Sequence, residues 1–240
     1  MPRASPTGRS LQGLLGSIRW WFEVLVRGLG GSACDPTRDG NRCPDHRKKA
    51  TDPGHHCVVC ELFGCMGWAR KFRFEVLDKN GQAKAAQIKK DESFKLRFTP
   101  LRSVRPEEWA LLDLTLRLIA DYGAIGGKTV LKPSDEPSRD NAAHHRDYGL
   151  IQIVECPGNV PTCDREQLES YIRQECWRKP GHDGFGWASL ANFWCVKGWY
   201  LARQNTNTST FNRIIRRPRA KGAVTAGRLV ARRAARPRRP

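Results

Sequence analysis

The chain has 240 residues, 39% of them hydrophobic, which is enough for one large domain or two small ones, and 42 Lys and Arg against 24 Asp and Glu leave a net charge of +18. A balance this basic points to a polyanionic partner such as nucleic acid. No stretch approaches the ~18 consecutive apolar residues of a membrane span, and the apolar run from Leu14 to Leu29 is broken by Arg19, Glu23 and Arg27 and lacks the small-residue cleavage site of a signal peptide.

In chain order, Leu11, Leu14, Leu15, Ile18, Phe22, Leu25, Val26 and Leu29 recur at three- and four-residue steps, predicting an amphipathic first helix stopped by Gly28, Gly30 and Gly31. Trp21 falls on its apolar face and Trp20 off it. A Cys/His-rich insertion follows over 32–65. Phe72, Phe74 and Val76 then alternate, a turn at Lys79-Asn80-Gly81 follows, and Phe94, Leu96 and Phe98 alternate again, predicting two strands that could form a hairpin. Pro106 suits the first turn of a second helix, marked by Trp109, Leu112, Leu116 and Ile119 and ending at Gly123. A glycine loop leads on to Pro133, and the polar stretch from Pro133 to Asp147 reads as loop. Tyr148 to Val154 reads as a strand, and 165–201 holds two helical candidates, around Trp177 and Trp194. The order helix, strand, strand, helix, strand is the ferredoxin-like βαββαβ pattern without its first strand, since the residues before the first helix contain prolines unsuited to a buried central strand. Eleven basic and no acidic residues lie between Arg213 and Pro240, an Arg/Ala/Pro-rich tail expected to be disordered; without it the net charge falls from +18 to +7.

Four cysteines are spaced Cys34-x8-Cys43-x13-Cys57-x2-Cys60. A Cys-x-x-Cys pair lets two thiolates reach one tetrahedral ion from a tight turn, and a second pair closes the site, as structural Zn²⁺ requires. The intervening sequence is polar and rich in Gly and Pro, so core burial alone would not order it. The Cys34/Cys43 spacing is looser, and His46, His55, His56 or Cys65 could replace either member. Cys156, Cys163, Cys176 and Cys195 show no pairing pattern and read as free buried cysteines. Nine cysteines, an odd number beside a metal-like cluster, fit a reducing cytoplasm.

Other segments carry weaker chemistry. Gly16, Ser17 and Arg19 open the first helix, where free N–H groups favour an anion and an arginine can reach a phosphate oxygen. Gly123-Ala-Ile-Gly-Gly-Lys-Thr129 fails the P-loop spacing and follows a helix, which leaves a loop whose N–H groups, with Lys128, could lie along a sugar-phosphate backbone. His144 and His145 lack a matched nucleophile, and His182 reads as a turn residue.

Three of these segments together resemble one family. Gly13-Leu-Leu-Gly-Ser-Ile-Arg-Trp-Trp-Phe-Glu-Val-Leu-Val-Arg-Gly-Leu-Gly-Gly31 with Cys34-Asp-Pro36, Leu62-Phe-Gly-Cys-Met-Gly-Trp-Ala-Arg70, and Tyr122-Gly-Ala-Ile-Gly-Gly-Lys-Thr129 are similar to the RAMP superfamily, and most like the first RAMP subunit of the Cmr (type III-B) CRISPR effector. The resemblance spans roughly residues 10 to 212. It implies an α+β, ferredoxin-like (RRM-like) RNA-binding domain over 1–155 carrying the zinc insertion, a partial and mostly helical second RAMP domain over 156–212, and the basic tail over 213–240. It further implies a non-catalytic, guide-RNA (crRNA)-binding subunit in antiviral defence, partnered by target RNA and other Cmr-type subunits. Gly16, Ser17, Arg19, Gly126, Gly127 and Lys128 would be its RNA contacts. The family's initial strand and its closing strand are expected to be missing, as after a late start codon or a frameshift near Ile214. Two rivals remain, a metal-independent endoribonuclease using His144 or His145 and a free-standing zinc-containing RNA binder.

Overall fold

The computed structural model describes residues 11–35, 39–84, 88, 92–125, 128–129, 131–134, 149–156, 159–181, 186–193 and 201–203. In chain order these form helix α1 (Leu11–Gly28), the short helix α2 (Val58–Phe63), strands β1 (Phe72–Leu77) and β2 (Lys95–Pro100), helix α3 (Pro106–Tyr122), strands β3 (Gly123–Ala124), β4 (Lys128–Thr129) and β5 (Leu131–Ser134), helix α4 (Arg165–Ile172) and strand β6 (Leu201–Arg203). The architecture is α+β.

Helix α1 is the axis of the core. Leu14, Ile18, Trp21, Phe22 and Leu25 fall on the expected stripe, but every residue from Trp21 to Arg27 is buried, so its second half is covered on all sides. Its glycine stop works through a left-handed residue: Gly30 has φ 86° and lets the Gly31 N–H turn back to the Val26 carbonyl at 2.9 Å, closing the last turn. Trp20 is only half-buried and stacks on Phe193, with ring centroids 5.9 Å apart.

Strands β1 and β2 pair antiparallel from Phe72↔Pro100 to Leu77↔Lys95. The period-two alternation sends Phe72, Phe74, Val76, Leu96 and Phe98 inward and leaves Arg73, Lys95, Arg97 and Thr99 on the exposed face. Edge-on aromatic contacts run from Phe22 of α1 to Phe63 (5.2 Å), on to Phe72 (5.5 Å) and then to Phe98 (5.2 Å), so the sheet is fastened to α1 through α2. Helix α3 starts at Pro106 as expected, with the Glu108 carboxylate accepting the Arg105 N–H at 2.8 Å. It packs Leu111, Leu112 and Ile119 into the same core, which α4 joins through Leu168, Tyr171 and Ile172.

Several expectations are corrected. The described strands make three two-stranded sheets, β1 with β2, β3 with β4 and β5 with β6, where a single sheet was expected. Residues 149–154 form no strand, because Leu150 and Val154 stand exposed and have no core face to alternate onto. The predicted loop leading to Pro133 carries β4 and β5 instead. Helix α4 ends before Trp177, whose indole donates to the Tyr171 carbonyl at 2.7 Å from a turn, while Trp194 lies outside the described residues. Cys156 and Cys163 are half-buried and Cys176 is exposed, so these three are not core cysteines; Cys195 lies outside the described residues.

Candidate metal centre

The insertion converges on four thiols. The Sγ atoms of Cys34, Cys43, Cys57 and Cys60 all lie within 4.8 Å of one another, with Cys34 to Cys57 at 3.9 Å and Cys34 to Cys60 at 3.5 Å. Zn–S bonds of about 2.3 Å in a tetrahedron place neighbouring sulfurs about 3.8 Å apart, so the cluster has the dimensions of a four-thiolate site. Cys57 caps α2 and Cys60 lies one turn into it, which is how the Cys-x-x-Cys spacing aims two side chains at one point. Of the possible substitutes, His55 and His56 turn to each other (Nδ1 to Nδ1, 2.9 Å), and His46 is exposed.

Donors surround the sulfurs. The Cys43 N–H points at Cys34 Sγ (3.3 Å) and the Cys57 N–H at Cys43 Sγ (3.2 Å). Arg19 of α1 gives Nη2 to Cys60 Sγ at 3.1 Å, Nη1 to the Gly64 carbonyl at 3.0 Å and Nε to Glu23 at 3.1 Å. Burial would lower the Arg19 guanidinium, but the charges of Cys60 and Glu23 outweigh it and hold it above its ordinary value. Hydrogen bonds from Cys43, Cys57 and Cys60 hold the Cys34 thiol far below its usual range, and those same bonds to Cys34 push Cys43 and Cys60 up. Four thiolates around a divalent ion carry two net negative charges. Arg19 at Cys60 and Arg178, which approaches Cys43 Sγ at 3.8 Å, offset them.

A second buried centre adjoins the first. Lys71 Nζ lies 2.8 Å from Glu108 Oε1, 3.0 Å from its Oε2 and 2.5 Å from Glu61 Oε1. Tyr171 donates its hydroxyl to Glu108 Oε1 at 2.8 Å, and His56 Nε2 meets Glu61 Oε2 at 2.7 Å. Although burial raises the Glu61 carboxyl, the hydrogen bonds of His56 and Lys71 win and hold it down to about 2. Burial and the Glu108 charge push the Tyr171 hydroxyl well above the phenol range. Apart from His56, nothing in the sequence marked these residues. Lys71 and Glu108 look like a strand-edge lysine and a first-turn glutamate, and only the tertiary fold joins them.

The residues expected to contact RNA fall in different settings. Gly16 is exposed, Ser17 is buried, and the guanidinium of Arg19 points into the thiol centre. Gly126 and Gly127 lie outside the described residues, as do His144, His145, His182 and the tail, while Lys128 begins β4 and pairs with Ala124. The start of the glycine loop does meet α1: the Trp21 indole donates to the Ala124 carbonyl at 2.9 Å, and a Cβ at Gly123 would lie 2.5 Å from the Trp21 ring, so only glycine fits there.

The family model of the RAMP superfamily matches residues 12–131, half of the chain, and the chain belongs to that superfamily. The matched span contains α1, the four cysteines, β1, β2, α3 and the glycine loop. No curated protein and no solved structure matches the chain.

Proposed function

We propose that this chain is a non-catalytic guide-RNA-binding subunit of a type III-B (Cmr) CRISPR ribonucleoprotein, working in the cytoplasm with target RNA and other subunits of the complex. The observation that carries the reading is membership of the RAMP superfamily. Its charge supports the same reading, +18 overall and still +7 without the residues after Asn212. So does the exposed face of β1 and β2, where Arg73, Lys95 and Arg97 outnumber Glu75. On this reading the α1, β1, β2, α3 body is the larger part of a ferredoxin-like domain, and the contacts are to phosphates and sugars, which favours binding largely independent of sequence. Gly16, Gly126, Gly127 and Lys128 would contact RNA directly, while the buried Ser17 would hold α1 against the core. Arg19 would act from beneath, by tying α1 to the thiol centre.

The thiol centre would hold one Zn²⁺ on Cys34, Cys43, Cys57 and Cys60. Four protein ligands leave no open position, so the ion would be structural, ordering the insertion that links α1 to β1. Free thiols among the described residues agree with a reducing compartment.

The decisive experiment co-expresses the chain with the other subunits of its operon and purifies it. Recovery of a stoichiometric complex with a bound small RNA and no RNA cleavage by the chain alone is expected. A chain that purifies free and cuts RNA, with activity lost in His144→Ala/His145→Ala, would establish the endoribonuclease instead. A free chain that binds RNA without cutting it would establish the free-standing binder.

A further inference from the structure

Beyond the end of β2, a groove of about 450 Å³ is lined by Pro100, Leu101, Arg102, Ser103, Val104 and Trp109. Pro100, Leu101, Val104 and Trp109 supply its apolar side chains and Arg102 and Ser103 its polar ones, and its surface is about equally polar and apolar. The guanidinium is held flat. Arg102 lies over the Trp68 ring with its central carbon 4.1 Å from the centroid, and it also donates to the Ala69 carbonyl. Trp68 is itself fixed, stacked on His56 at 4.5 Å and donating its indole N–H to the Glu61 carbonyl at 3.3 Å. His56, Trp68 and Arg102 therefore form a three-layer stack that ends on a planar cation at the groove. The Arg102 Nε is buried and has no hydrogen-bond partner among the described residues, a cost that a ligand acceptor would relieve.

A second cation lies beside this platform. The Leu101 N–H bonds to the Lys71 carbonyl at 2.7 Å, which continues the β1–β2 register and sets Arg70 beside Arg102. Arg70 is exposed, whereas the Arg105 guanidinium lies over the Tyr171 ring, 5.7 Å from its centroid. A planar guanidinium backed by an aromatic ring, with apolar side chains and the Arg70 cation beside it, fits a π-faced ligand joined to an anion.

We propose that this groove takes one unpaired nucleobase of single-stranded RNA, stacked on Arg102, with a flanking phosphate on Arg70. The inference rests on the RNA-binding reading above and adds a base-holding site to it. Because the contact is to a π-face, the pocket accepts any base.

The test uses the full chain, zinc-loaded, and a single-stranded RNA of roughly 12 nucleotides with one central 2-aminopurine, a length within the ordinary site size of such binders. Anisotropy reports total binding, and 2-aminopurine emission reports stacking. Arg102→Lys keeps the charge and loses the planar platform. Leu101→Asp places a carboxylate on the exposed rim, where folding is least at risk. The expected result is quenching on binding to the unaltered chain, loss of most of that quenching in both variants, and a salt slope unchanged in Arg102→Lys because no phosphate contact is lost. A 4-thiouridine at the same position should crosslink within residues 100–109. RNA binding with quenching unaffected in both variants overturns the nucleobase pocket and leaves the RNA-binding reading intact; that is the result if the groove receives a protein side chain. No RNA binding by the unaltered chain overturns both.

Discussion

Two buried charged centres fasten the cysteine insertion to the helix and sheet body, and they are built on opposite plans. At the first, four thiols that would repel one another once ionised are gathered within 4.8 Å, with Arg19 and Arg178 alongside. At the second, Lys71 sits between Glu61 and Glu108 and nearly every polar atom already has a partner. The first is a cluster of like groups that, on the proposed reading, takes a cation from outside. The second is complete within the chain. Cys60 and Glu61 are consecutive residues of α2, so one short helix feeds both. These are two ways of burying charge: with a bound metal the first would make stability depend on metal supply, and the second makes it depend on the protonation of side chains.

The sharpest way to break that contrast is the double substitution Cys57→Ser/Cys60→Ser. Structural zinc contributes on the order of 10 kcal/mol in small zinc domains, so the variant should lose its metal by elemental analysis, and limited trypsin digestion should cut rapidly after Arg47, Lys48 and Lys49, which are exposed on the insertion. Full zinc retention, or an unchanged digestion pattern, would remove the metal centre from the account.

Next in size is the internal pair. Glu108→Gln leaves the Lys71 ammonium buried beside a weaker partner and should cost about 3–5 kcal/mol in urea unfolding, as removal of one member of a buried ion pair does, while Lys71→Met with Glu108→Leu should cost less than either single change. Zinc content should stay at one equivalent throughout. If zinc falls with Glu108→Gln, the two centres are one cooperative unit.

Arg19→Ala tests the outer layer of the metal centre. It strips a donor from Cys60 Sγ and from the Gly64 carbonyl, and the affinity for zinc in a chelator competition should fall roughly 10- to 100-fold, the usual effect of losing such a partner. RNA affinity should follow zinc occupancy. A variant that keeps its zinc affinity and loses RNA binding would return Arg19 to the role of a direct phosphate contact.

The smallest effect is Tyr171→Phe, which takes one hydrogen bond from Glu108 and should cost about 1 kcal/mol near neutral pH. The same residue gives the second centre an alkaline limit. Its folded pKa is raised above the ordinary phenol value, so the stabilisation is fully present below about pH 10 and is lost as pH rises beyond it, because the unfolded chain releases that proton first. Melting curves above pH 10 should fall less steeply for Tyr171→Phe than for the unaltered chain; equal slopes would refute the assignment.

How much of this was legible in the sequence depended on the range of the interaction. Helices α1 and α3 and the strand pair could be read from local periodicity, and the proline start of α3 agreed with it. The four cysteines were legible because the chemistry of the site restricts residue types, even at loose spacing. Arg19 reads in sequence as a phosphate contact of the first helix, and its hydrogen bond to Cys60, 41 residues away, has no local sign. Glu108, Lys71 and Tyr171 are separated by 37 and 63 residues from one another's partner atoms, and no local pattern links them. The segment at 149–154 alternates like a strand, but alternation is informative only if a buried face waits to receive it.

The attachment of residues 176–178 to the insertion sets an order of events during synthesis. The Gly54 N–H bonds to the Cys176 carbonyl at 2.8 Å, the Arg178 N–H bonds to the His56 carbonyl at 2.9 Å, and the Arg178 side chain clasps the carbonyls of Gly40 and Arg42. All four cysteines leave the ribosome long before this clasp exists. At elongation rates of about 5–20 residues per second, the delay is on the order of ten seconds. During that interval the nascent cysteine loop is exposed to chaperones, free metal and oxidants alike, so for the proposed zinc centre the timing of translation would matter alongside metal affinity.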